Sequence, residues 1–136
     1  MSDENTLETG SVGWMDLTVA DAPRVRDFYR EVAGWKVQDV AMKDDAGEYA
    51  DFAMLAPGSG RGIAGVCHAR GGNSDLPPVW LIYITVENLD ASLEKVRAGR
   101  GKVLAGPKKL GGQAVYAVIE DPAGAACALF QALNGD

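Results

Sequence analysis

From Trp14 to Val19 apolar and polar positions alternate, with Met15, Leu17 and Val19 on one side and Trp14, Asp16 and Thr18 on the other. The rhythm returns from Leu81 to Val86, where Ile82, Ile84 and Val86 alternate with Leu81, Tyr83 and Thr85. A period of two places successive side chains on opposite faces of a sheet. Both stretches are therefore expected to be strands, with the aliphatic set of each buried under a helix and the mixed set facing elsewhere.

After each strand the period lengthens. Val25, Phe28, Tyr29 and Val32 have the i, i+3, i+4, i+7 spacing of one buried helix face, and Leu89, Leu93 and Val96 repeat it in shorter form. Asp21 and Asn88 precede these runs and suit the N-cap, where a side-chain oxygen accepts from a free helix N–H. Pro23 fits a first turn, and Gly34 and the glycines at 99 and 101 fit the helix ends. Three more strand-like runs then follow in each half. They cover about 36–42, 48–56 and 62–69 in the first, and about 102–105, 113–120 and 125–131 in the second. Each half thus reads β-α-β-β-β.

A shift of 67 residues lays Leu17-Thr18-Val19 on Ile84-Thr85-Val86, Asp21 on Asn88 and Gly34 on Gly101. The chain reads as one unit written twice. The modules span about 11–69 and 79–132 of a single domain, 11–132, after a tail at residues 1–10 that reads as disordered. "RGGNSDLPP" is the linker between them.

The 136 residues are 47% apolar and 24% charged, enough for a packed core, and the net charge of −6 disfavours nucleic acid as a partner. No apolar run reaches the roughly 18 residues that cross a bilayer. The acidic start "MSDENTLETG" lacks a signal-peptide pattern, so a cytoplasmic location is expected. Cys67 and Cys127 are read as buried free thiols.

"DLTVADAPRVRDFYREVAGW" and "VIEDPAGAACALFQ", with the repeat, resemble the vicinal oxygen chelate superfamily of glyoxalase I, extradiol dioxygenases and the bleomycin and fosfomycin resistance proteins. The resemblance spans about Gly10 to Ala132. It implies an α+β fold of two βαβββ modules forming a glyoxalase/bleomycin-resistance-type cup, often shared with a second subunit. A homodimer is expected, since pairing protects open strand edges.

Metal-dependent members take His or Glu ligands from the first and last strands of each module. Carried over by position, the first-strand places are Trp14 and Leu81, and the closing-strand place of the second module is Ala128. None offers a metal donor, so no metal and no cofactor are expected there. The fourth place lies in "GIAGVCHA", whose register the sequence leaves open, with His68 near it or outside the cup. Asp16, Glu48 and His68 are a conceivable alternative set.

The resemblance makes Trp14, Asp16, Thr18, Leu81, Tyr83, Ala128 and Phe130 the wall of a cup, with Tyr49 at its lip. An apolar and aromatic wall with few polar groups suits a small apolar or aromatic ligand. The expected function is metal-independent binding of such a compound. The alternative is a lyase, isomerase or dioxygenase with a non-standard site, using Asp16 as base and Tyr83 as acid. Bland roles stand beside these: indole filling at Trp14, a salt-bridged Asp16, a strand-bound Tyr83, a solvated His68. Trp35 and Trp80 are read as packing at module or subunit junctions.

Overall fold

A computed structural model describes residues 8–133. Most of the expected tail at 1–10 lies outside the described residues. The strands are β1 (Val12–Val19), β2 (Lys36–Asp44), β3 (Gly47–Leu55), β4 (Gly62–His68), β5 (Leu81–Thr85), β6 (Lys102–Leu110), β7 (Ala114–Glu120) and β8 (Ala126–Ala132). The helices are α1 (Ala22–Ala33) and α2 (Leu89–Ala98), with a 3-10 turn at Gly71–Asn73 in the linker. Each half is β-α-β-β-β, and the fold is α+β.

Contacts group the chain into two compact units. The first is Met15–Trp80. The second takes in residues 81–133 together with residues 8–14. Two backbone bonds tie this early segment to β5. The Gly10 N–H donates to the Thr85 carbonyl at 2.7 Å, and the Thr85 N–H to the Ser11 carbonyl at 2.9 Å.

Strand order in the first unit is β2-β3-β4-β1, and in the second β6-β7-β8-β5. In both, the opening strand runs parallel to the closing one and the other neighbours are antiparallel. The repeat seen in the sequence is thus a repeat of topology.

The core of the first unit is Ala22, Phe52, Met54, Ala64 and Val66, with Met15, Val19, Val25 and Tyr29 packed on it. Leu17, opposite Val66, is 6% exposed. In the second unit Leu89, Leu93, Ala117, Ile119 and Leu129 form the core, and Ile84 and Val86 pack there as their parity requires. The caps also form as expected. Asp21 accepts from the Arg24 N–H at 3.3 Å and Asn88 from the Ala91 N–H at 3.0 Å, while Gly34 ends α1 in the left-handed region.

Four expectations need correction. Phe28 is 56% and Val32 64% exposed, because the apolar residues by which α1 reaches the core are Ala22, Val25 and Tyr29. Ile82 is 39% exposed, since α2 lies mainly over β6, β7 and β8 and leaves that end of β5 uncovered. β6 runs to Leu110, through the expected break at "GPKKL". There Gly106 and Pro107 together face Ala117, between the pairs Ala105–Val118 and Lys108–Tyr116, so a bulge accommodates the proline's missing N–H. Gly106 has φ +91°, and a Cβ there would stand 2.9 Å from the Tyr116 carbonyl oxygen. Finally, Trp35 and Trp80 pack in the first unit's own core with Tyr29. Tyr29 and Trp35 stack at 5.6 Å, and the Trp80 indole N–H donates to the Tyr29 hydroxyl at 3.2 Å.

Candidate functional site

In the first unit, pairing assigns a face to every strand residue. Leu17, Phe52, Met54, Ala64 and Val66 meet α1. The opposite face holds Asp16 and Thr18 of β1, Gly65 of β4, Asp51 and Ala53 of β3, and Val40 and Met42 of β2, which oppose Asp51 and Tyr49. Asp16 and Tyr49 are half-buried and Thr18 is buried.

Past the pair Phe52–Val66 the β3–β4 ladder ends, and Asp51 takes over. Its Oδ1 accepts the His68 backbone N–H at 2.9 Å and lies 3.1 Å from His68 Nδ1. The imidazole stands between Tyr49, at 5.6 Å, and Phe52, at 5.8 Å. Arg70 lies 3.8 Å over the Tyr49 ring and donates two hydrogen bonds of 2.9 Å to Asp44. Desolvation alone would raise the Asp44 carboxyl, but Arg70 and the N–H groups of Ala46 and Gly47 hold it below the usual range. Cys67 lies in the same neighbourhood. Burial pushes its thiol far up, and the nearby charges of Asp16 and Asp51 push it further, which favours the protonated thiol over the nucleophilic thiolate.

In the second unit, Tyr83 pairs with Ala128 and Tyr116 with Phe130, so all four share the face away from α2. The Tyr83 and Tyr116 rings are 6.0 Å apart. Leu81, Ala128 and Thr85 are buried; a ligand would have to displace their neighbours to reach them. Tyr83 and Phe130 remain half-open, and so does Trp14.

The units' equivalence resolves the register left open in "GIAGVCHA". Asp16 faces Gly65 as Tyr83 faces Ala128, so Gly65 is the counterpart of Ala128. His68 lies three residues beyond. The places where the resemblance puts metal ligands hold Trp14, Leu81, Gly65 and Ala128, a set that does not fit a divalent ion. The alternative set is not assembled either. Glu48 is exposed, and among the described residues no three His, Cys, Asp or Glu side chains are grouped to hold an ion.

Sequence reasoning missed Asp51, Arg70 and Tyr116. Asp51 and Tyr116 had a signal in strand parity, two residues from Tyr49 and two from Ala114 and Val118. Arg70 had none, since a linker arginine carries no period.

The family described as Glyoxalase/Bleomycin resistance protein/Dioxygenase superfamily matches residues 11–129, and the chain belongs to it. Among relatives, it is 30% identical over 133 residues to "Putative glyoxylase CFP32" of Mycobacterium tuberculosis, covering 97% of this chain and 49% of that protein. It is 29% identical over 134 residues to "Anthracycline biosynthesis protein DnrV" of Streptomyces peucetius, covering 90% and 47%. The chain thus spans about half the length of these relatives. A solved methylmalonyl-CoA epimerase from Mycobacterium tuberculosis shares the fold, with TM-score 0.54 at 16% identity over 92% of this chain and 91% of that one.

Proposed function

We propose that this chain is a small-molecule-binding domain of the glyoxalase family that holds an apolar or aromatic compound without a metal ion. The observation that carries this is the aromatic face of the second unit, where Tyr83, Tyr116 and Phe130 come together. Aromatic side chains offer large contact area at little cost in conformational entropy, and a tyrosine hydroxyl adds a polar handle. The lack of donors at Trp14, Leu81, Gly65 and Ala128 supports the metal-free part. The name of the Streptomyces relative fits the ligand class, since an anthracycline is a fused aromatic compound.

The test is a thermal-shift screen of aromatic metabolites and antibiotics, because a ligand that binds only the native state raises the midpoint. Phe130→Ala is expected to abolish the shift of a true ligand. A ligand whose shift survives in that variant, or a screen without a single shift, argues against the proposal.

A homodimer belongs to the same proposal. β2 and β6 stand at the outer side of their units' strand orders and carry exposed Val40, Met42, Leu104 and Leu110. Light scattering at micromolar concentration checks it, and a single 14.3 kDa species counts against it. An enzyme using Asp16 as base has one support, the half-buried Asp16 whose charge reaches Cys67. Asp16→Asn is expected to abolish turnover in that case and to leave binding largely intact otherwise.

A further inference from the structure

The first unit assembles an imidazole, a carboxylate and a phenol away from Gly65 and the other ligand places. Asp51 Oδ1 holds the His68 backbone N–H at 2.9 Å and stands 3.1 Å from Nδ1. A carboxylate oxygen only accepts, so this contact places the imidazole proton on Nδ1. Nε2 then points away from Asp51 and has no partner among the described residues; in the neutral ring it carries the lone pair. The Asp51 side chain is 13% exposed and that of His68 21%, an anchored acid behind a reachable ring. Tyr49 meets the imidazole edge-on at 5.6 Å. Its ring is clamped by Arg70, which Asp44 fixes in turn. Burial, then the charges of Asp51 and Asp44, push the Tyr49 phenol above its ordinary 10.0 against the pull of Arg70, so it keeps its proton and can donate. Beside Tyr49 lies a recess of about 320 Å³ walled by Ala41, Met42, Lys43 and Glu48. That is room for one small ring on the Tyr49 side of the pair, since His68 is not among its walls.

We infer that His68 and Tyr49 form a binding site for a small, weakly acidic hydroxyl compound of the phenol or enol type, with Asp51 as the residue that positions His68. The ligand O–H donates to Nε2 and its oxygen accepts from the Tyr49 hydroxyl, the His68 and Tyr49 rings standing 5.6 Å apart. This deepens the binding function by naming a ligand class. It rests on that function being small-molecule binding, but on different residues: Phe130→Ala bears on the aromatic face of the second unit, and His68→Gln on this site.

The experiment uses two probes on the full chain, 4-nitrophenol and 4-nitroanisole, which share a ring and differ in the acidic hydroxyl. His68 is the sole histidine, so proton–nitrogen correlation spectra report its tautomer without ambiguity. The expected result is an Nδ1–H tautomer in the free protein and saturable binding of 4-nitrophenol with a red shift of its absorbance. 4-Nitroanisole is expected to bind at least tenfold more weakly, because a site built to hydrogen-bond a hydroxyl rejects the analogue lacking it. His68→Gln and Tyr49→Phe are expected to weaken 4-nitrophenol at least tenfold. Asp51→Ala is expected to weaken it as well and to lose the Nδ1–H preference, a change that simple loosening of the fold does not produce. An Nε2–H tautomer in the wild type, equal affinity for the two probes, unchanged affinity in His68→Gln, or no saturation by 4-nitrophenol at millimolar concentration overturns the inference.

Discussion

One oxygen of Asp51 serves both the backbone N–H and the ring Nδ1 of His68, at 2.9 and 3.1 Å. The contact closes the end of β4 where the β3–β4 ladder has stopped. Asp51→Ala leaves two half-buried donors without this acceptor. A loss of about 1–3 kcal/mol is expected from the unmet hydrogen bonds, read as a lower urea midpoint. Asp51→Asn keeps an acceptor and is expected to lose less.

Leu17→Ala is expected to cost about 2–5 kcal/mol, as for an emptied core site, because Leu17 is buried opposite Val66. Val32→Ala is expected to stay within about 0.5 kcal/mol, since Val32 is mostly exposed. Equal losses from the two, by urea unfolding, would contradict the α1 packing described above.

Cys67 is expected to make stability fall at alkaline pH. Burial, then Asp16 and Asp51, raise its thiol far above the ordinary 9.0, so it stays protonated in the native state. In the unfolded chain it ionises near that ordinary value. Above it the unfolded state binds fewer protons than the native one, and stability declines as pH rises, by at most about 1.4 kcal/mol per unit. Below it the contribution is fully present. Cys67→Ala is expected to flatten this limb in urea midpoints taken from pH 7.5 to 10. A limb of unchanged slope would show that other groups produce it. Native Cys67 is also expected to resist thiol reagents at pH 8.

Metal analysis of the purified, dialysed protein is expected to find no stoichiometric zinc, iron or manganese. The reason is donor chemistry: an indole, an isobutyl group, a glycine and a methyl group at the four ligand places supply no nitrogen, oxygen or sulfur donor. A tightly held ion would require other residues to form the site.

Much of the architecture was legible from periodicity alone. Alternation at Met15, Leu17 and Val19, caps at Asp21 and Asn88, and the 67-residue repeat are local or additive signals, and such signals survive into the fold because strand parity and helix capping are decided by near neighbours. That Tyr83 and Phe130 share a wall came from the family resemblance, because parity fixes faces within one strand and not between two. What tertiary structure decided is pairing between strands. The sequence held no measure of which residue of β4 opposes Asp16, so the counterpart of Ala128 stayed open until Gly65 was found there. Nor did it show that Asp51 reaches His68, 17 residues on, or that Arg70 covers Tyr49, because those contacts arise only when β3, β4 and the linker are brought together. The exposure of Phe28, Val32 and Ile82 has the same origin. A helical or strand period tells which side is apolar, whereas how far a neighbouring element extends over that side is a property of the packed chain.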